Sequence, residues 1–403
     1  MKAYNNINNK NHIVSKSEKF ITWILVLFMP LSTYATPISG VTIGDFMLLL
    51  VLIIIIFSII KNKKDIIEVI SIPVLIYLIY IFIVTLIFWV NEPYKLQDTI
   101  LSLSRYLLFL ITVLFASKKY FNIKYGYKVY VTMALLFSGY IIIQFISFYQ
   151  FEIILPETFF GLPSYALKVS TEEYFRKKYL LYRPRSVFLE PSHFAVFNII
   201  ALYIVLNSHI VKFSNKYKKG IFLTIGIVIS GSSTGIILLP ICWFKQLIKL
   251  LKRMDMKTLV AFISLLLVMI RMIYTGYFQQ TIARVWTSEG FRGNAVQGRF
   301  GKFKILFEEN IPIMKKIFGQ GFGINVGYYL PSFGTLYLYL GIMGLIVFFL
   351  VIAYQYFNSI QEIKEIILLI LIIFFGTNGL FGISIVLFFP IIFSDFQKQK
   401  QQL

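Results

Sequence analysis

Cysteine is almost missing from this chain: Cys242 is the only one in 403 residues. That excludes an internal disulfide framework and leaves no basis for a thiolate metal cluster. Histidine is nearly as scarce, with three. Charge is thin, at 14% of residues, and acid is the rarer sign, with 18 Asp and Glu against 39 Lys and Arg. The two longest polar segments, 152–186 and 277–330, contain no Asp-x-Asp pair. A metal-held nucleotide sugar is therefore not expected, and neither a metal nor another cofactor is. No remaining polar stretch is long enough to fold as an ATPase or nucleotide-sugar transferase domain.

What fills the chain is apolar. Hydrophobic residues make up 58%, and the mean hydropathy is +0.77, more apolar surface than a soluble domain could cover. Runs such as 43–60 and 69–90 match the length needed to cross a ~30 Å hydrocarbon core at ~1.5 Å per residue. Apolar length places spans near 20–36, 43–60, 69–90, 100–117, 128–151, 188–208, 220–231, 234–250, 258–276, 331–355, 365–377 and 379–395. The expected fold is all-α: a polytopic bundle of about twelve transmembrane helices, one domain over 1–403. The first span is read as retained, although 20–36 followed by TYATP resembles a secretory signal. Gly231 to Gly235 interrupts 220–250, and Gly376 to Gly379 interrupts 365–395; each is a short hairpin pair or one long, kinked span, and the basic loop at 249–257 favours the hairpin for the first.

The net charge of +21 lies mainly in short loops. Lys61, Lys63 and Lys64, Lys118, Lys119, Lys124 and Lys128, Lys212 to Lys219, and Lys249 to Lys257 fall on one side of the membrane in this assignment. Positive residues gather on the cytoplasmic side, so the amino terminus is assigned inside, and membrane topology replaces nucleic-acid binding as the reason for the charge. Two large loops then face outward. Residues 152–186 hold six Lys and Arg against four Glu, and 277–330 hold seven against three. They are read as anion-binding segments.

In the first, Arg183-Pro184-Arg185-Ser186-Val187-Phe188-Leu189-Glu190-Pro191-Ser192-His193-Phe194 combines two guanidinium groups with a helix start. Pro184 biases Arg183 toward an extended conformation, and Pro191 suits a first helical turn. Guanidinium forks match phosphate oxygens and stay charged, so Arg183 and Arg185 are candidate anion ligands. Glu190 and His193, three apart at the outer mouth of the sixth span, are candidates for general-base work, with capping by Glu190 the alternative. In the second segment, Arg284, Arg292, Arg299 and Lys302 are further anion candidates, and Phe300, Phe303 and Phe307 recur at helical spacing. The glycine-rich Gly319-Gln320-Gly321-Phe322-Gly323 lacks the features of a nucleotide loop. Asp45 and Arg105, charges near the outer ends of their spans, form a plausible structural pair.

Four stretches resemble the bacterial O-antigen polymerase and ligase superfamily, in particular the Wzy-type polysaccharide polymerases. They are Ile43-Gly44-Asp45, RPRSVFLEPSHFA at 183–195, the Ser/Gly/Thr break at 230–235, and the GRFGKF, GQGFG and LYLYLGIMGLI runs across 298–346. The resemblance implies a GT-C-like, metal-independent, inverting glycosyltransferase of the bacterial inner membrane, its active site facing the periplasm. Its substrate would be a polyprenyl-diphosphate-linked oligosaccharide, and membrane lipid, a chain-length regulator and a flippase would be its partners. The chain departs from one pattern of the family: neither outer loop has an arginine followed by glycine after ten intervening residues. O-antigen ligases would be expected to place a histidine in the second loop, and 277–330 contain none, which favours polymerase over ligase. A transporter of the same lipid-linked sugars is the reading from a different class; broken spans favour it, and the lack of an internal repeat opposes it.

Overall fold

The computed structural model describes residues 14–38, 40–62, 66–91, 96–158, 162–164, 182–253, 311–322, 330–377 and 384–394, with positions 256, 260, 263, 267 and 279. The described part is helical, and its only β contacts are two isolated bridges. In chain order the helices are α1 Lys16–Leu31, α2 Ile43–Lys61, α3 Ile66–Val69, α4 Ile72–Asn91, α5 Leu96–Lys119, α6 Ile123–Phe151 and α7 Pro191–Asn207. They continue with α8 Lys216–Ile229, α9 Ser233–Arg253, α10 Ile313–Phe318, α11 Ser332–Asn358, α12 Gln361–Gly376 and α13 Ile385–Phe393. Five of them, α2, α4, α5, α6 and α11, are long and apolar enough to cross a membrane. Their outward faces are apolar as well: Phe46, Ile53, Phe57 and Ile60 of α2 are exposed at 59–70%. Lipid, not water, fits such a face.

Polar residues set the helix starts. Ser15 with Glu18 and Thr42 with Asp45 form reciprocal capping boxes at α1 and α2, and Asn122 accepts the Tyr125 N–H at the start of α6. The helix α7 has buried residues on every side from Phe194 to Asn207, so it stands at the centre of the bundle. It packs against α6, α8, α9 and α12. Buried polar groups on α7 are bonded across helices: Ser138 Oγ lies 2.9 Å from Asn198 Oδ1, and Tyr130 donates to the Phe197 carbonyl at 2.6 Å.

The pair α8 and α9 turns back at Ser230 to Ser232 as an antiparallel hairpin. Tyr217 and Gln246, nearly equidistant from the turn, hydrogen-bond at 3.3 Å, and Trp243 donates to Thr224 at 3.1 Å. At fourteen residues α8 spans about 21 Å, shorter than a hydrocarbon core.

The last long helix is broken. Gly341 of α11 takes φ 67° and ψ −168°, and this frees carbonyls from the helical ladder. The Gln320 N–H donates to Leu338 O at 2.8 Å, the Gly321 N–H to Tyr339 O at 3.1 Å, and the Tyr80 hydroxyl to Leu340 O at 3.0 Å. Non-helical backbone inside a membrane requires such partners. The glycine-rich run after α10 is therefore a docking strip for this break, and side chains at Gly319 and Gly341 would overlap each other's backbone neighbours.

The alternating helices give the bundle two ends. One gathers Thr33 to Thr42, Arg105, residues 152–158 and 182–190, and the Ser332 and Thr377 contact, where the Ser332 N–H donates to Thr377 O at 2.8 Å. The other gathers the starts of α1, α6 and α8 and the ends of α2, α5 and α9, with Lys61, Lys118, Lys119, Lys124, Lys216 to Lys219 and Lys252.

Candidate functional site

At the arginine-bearing end, an irregular segment folds inward instead of lying on the surface. Pro184 to Phe188 are all buried, Ser186 and Phe188 completely. Phe188 anchors it among the rings of Phe137, Phe194 and Phe197, at centroid distances of 5.3, 5.8 and 5.3 Å. Buried backbone needs partners, and neighbouring helices supply them. Thr33 donates to Val187 O at 3.0 Å, and Tyr149 to Tyr182 O at 3.2 Å.

The turn itself is strained. Ser186 has φ 56°, a left-handed backbone that costs a non-glycine residue about 1–2 kcal/mol. Gln144 of α6 grips it from both sides: its Oε1 accepts the Ser186 N–H at 2.8 Å and its Nε2 donates to Ser186 O at 3.2 Å. The Ser186 hydroxyl donates to Phe137 O at 3.1 Å.

Arg185 is 8% exposed, and its guanidinium donates to the Glu157 carboxylate and to the Leu189 carbonyl. It therefore ties residues 152–158 to the start of α7. Arg183 is half-buried beside it in sequence. Glu190 is the N-cap residue of α7, but its side chain makes no cap bond. Its carboxylate is exposed and accepts the Ser192 hydroxyl at 2.9 Å. Capping is thus not the role of this carboxylate. His193 follows three residues on, within electrostatic reach of both Glu190 and Arg185, and its buried Nδ1 has no hydrogen-bond partner among the described residues.

Acid, imidazole and guanidinium thus meet at the mouth of the central helix. An exposed carboxylate in that position is chemically able to act as a general base. No family model and no curated protein matches the chain. Asp45 and Arg105 meet at the same end, Arg105 Nε lying 2.9 Å from Asp45 Oδ1. Arg284, Arg292, Arg299 and Lys302, with the Phe300, Phe303 and Phe307 stripe, lie outside the described residues. Among the described residues, no three His, Cys, Asp or Glu side chains gather as a metal ligand set.

A second polar cluster, not foreseen from sequence, occupies the lysine-rich end, about 20 Å away along α7. Glu365 of α12 accepts from Tyr203 and pairs with Lys245. Glu362, 5% exposed, accepts the N–H groups of His209 and Ile210 at 2.7 and 3.1 Å. These bonds tie the α7–α8 loop and α9 to α12. Its signal in the sequence was the pair of carboxylates entering an apolar run at 361–365.

Proposed function

We propose that this chain is a Wzy-type polysaccharide polymerase of the bacterial inner membrane, with about twelve spans and its acid–arginine site facing the periplasm. Its donor is a growing glycan on polyprenyl diphosphate, and its acceptor is a fresh lipid-linked repeat unit. The acceptor hydroxyl attacks the anomeric carbon of the donor, the bond from that carbon to the diphosphate oxygen breaks, and the configuration inverts. Glu190 takes the hydroxyl proton, with His193 beside it. Arg183, Arg284, Arg292, Arg299 and Lys302 neutralise the departing diphosphate, an interaction worth several kcal/mol in a water-poor site. Arg185, engaged with Glu157, shapes this mouth and adds to its positive potential.

One observation carries the reading: an exposed, uncapped carboxylate beside a histidine with an unpartnered nitrogen, both at the amino terminus of the buried central helix. The inward-folded arginine segment next to it gives the anionic lipid a reason to bind there.

The test is polymerisation of a purified lipid-linked repeat unit by the purified chain. Glu190→Gln should lower turnover at least about 100-fold, the range of a lost general base. Wild-type turnover in that variant removes Glu190 from the chemistry; no polymer from the wild type removes the function. In cells, deletion should leave lipopolysaccharide capped with a single repeat, whereas deletion of a ligase would leave none. A transporter reading draws on the break in α11. However, the three carbonyls at Leu338, Tyr339 and Leu340 each receive a protein donor, which accounts for the break without an ion.

A further inference from the structure

We infer that Gln144 is a positioning residue for this site, acting through the backbone of Ser186. The inference rests on the polymerase reading above for its activity readout, and on geometry alone for the rest.

A left-handed conformation at a non-glycine residue persists only where the surroundings over-determine it, and such residues cluster at functional sites. Ser186 fits that description. Its N–H, its carbonyl and its hydroxyl are each bonded to α6, and both Ser186 and Gln144 are fully buried. A side-chain amide carries its acceptor and its donor on separate atoms, so Gln144 accepts the N–H and donates to the carbonyl of one residue at once without changing protonation. Gln144 also donates to Pro156 O at 3.3 Å, next to Glu157, the partner of Arg185. One side chain thus holds both strands of the arginine mouth: the 156–157 stretch carrying Glu157, and the 185–190 stretch carrying Arg185 and Glu190.

The consequence is directional. The turn at Ser186 sets how far Arg185 stands from the start of α7, and therefore from Glu190 and His193. A small shift of a reacting group is enough to lower turnover strongly while substrate binding changes little. Gln144 does not touch substrate in this scheme; it fixes the separation of groups that do.

The decisive experiment uses the full chain in lipid nanodiscs with a lipid-linked repeat unit as the probe. Gln144→Met keeps the volume and removes the three amide hydrogen bonds. It should lower turnover about 30-fold with KM changed less than threefold, within the range known for small misplacements. Adding Ser186→Gly, which adopts positive φ without penalty, should restore at least fivefold of that loss. Unchanged turnover in Gln144→Met, or no gain on adding glycine, overturns the inference. If Gln144→Met does not accumulate, Gln144→Asn takes its place: it keeps the amide but withdraws it by one methylene from Ser186 and Pro156. It should lower turnover at least fivefold with KM changed less than threefold; unchanged turnover overturns the inference. Amide exchange at Ser186 separates this inference from the polymerase reading. If the wild type makes no polymer, unchanged Ser186 protection in the methionine variant still overturns the hold of Gln144 on Ser186, and faster exchange still supports it.

Discussion

Arg105 Nε lies 2.9 Å from Asp45 Oδ1 and joins the opening turn of α2 to α5 across sixty residues of sequence. The other carboxylate oxygen of Asp45 receives the Thr42 N–H and hydroxyl, each at 2.8 Å. One aspartate therefore closes a capping box and an interhelical ion pair together. Asp45→Asn retains a capping oxygen and removes the charge that Arg105 faces across the helices. Loss of one partner of a fully buried pair costs about 3–5 kcal/mol. Arg105 keeps 24% of its exposure, so about 2 kcal/mol is expected here. Asp45→Ala should cost more, since the box goes too. Melting in detergent checks both, and equal melting for Asp45→Asn and wild type would remove the pair from the account of stability.

Break geometry makes a second, paired prediction. Gly341 has φ 67°, and a Cβ there would overlap the Ile317 carbonyl and stand 2.5 Å from Gly319 N. Backbone cannot yield cheaply, so Gly341→Ala should destabilise by about 3 kcal/mol or more. Gly376 is helical, and among the described residues nothing lies within 4 Å of its Cβ position, so Gly376→Ala should be neutral or stabilising by up to about 1 kcal/mol. Equal effects of the two substitutions would show that the break is not what requires glycine.

Apolar length alone located most of this bundle. Spans expected at 43–60, 128–151 and 331–355 are found as Ile43–Lys61, Ile123–Phe151 and Ser332–Asn358. The helices overrun the apolar stretches because lysines and tyrosines extend a turn beyond the lipid, as at Lys124 and Tyr125. The glycine and serine run at 231–235 marks the hairpin, although α8 is too short to cross a membrane alone. The site was legible only in part. Motif order singled out Arg185, Glu190 and His193, but nothing periodic links Arg185 to Glu157, twenty-eight residues away in sequence. Gln144 left a clue, a lone amide in the apolar run Ile141-Ile142-Ile143-Gln144-Phe145. The docking of Gln320 and Gly321 on α11 left none, because backbone donors carry no side-chain signature.

Arg185 and Glu157 supply a third test. Their side chains are 10% and 19% exposed, so neither charge is well solvated if left alone. Arg185→Met and Glu157→Gln should each destabilise by about 2–3 kcal/mol. The double variant should fall short of the sum by about 1–3 kcal/mol, the coupling expected of residues in contact. Strict additivity in a thermal or denaturant series would mean that the two side chains act independently.

At the lysine-rich end, Glu362 does a different job from Glu190. One of its oxygens receives two backbone N–H groups, a part-buried one from His209 at 2.7 Å and a buried one from Ile210 at 3.1 Å. Glu362→Ala strands both donors, at about 1–3 kcal/mol each. Glu362→Gln keeps an acceptor oxygen in place and should cost less than about 1 kcal/mol. The ratio of the two in melting experiments tests the assignment; a glutamine as damaging as alanine would point instead to the carboxylate charge.

Orientation is open to direct measurement because the single cysteine is out of the way. Cys242 is fully buried in α9, its thiol 3.6 Å from the Ile199 carbonyl, so it should resist thiol reagents and tolerate replacement by alanine. Ile38 is 67% exposed at the end that carries Glu190, and Lys218 is exposed at the opposite end. In intact cells with a permeable outer barrier, a membrane-impermeant maleimide should label Ile38→Cys. It should reach Lys218→Cys only after the inner membrane is opened. The lysines around Lys218 motivate this direction, since positive loops stay on the cytoplasmic side. The reverse pattern would place Glu190 and the arginine segment in the cytosol, away from any periplasmic lipid-linked glycan, and polymerisation at that mouth would then have no substrate to act on.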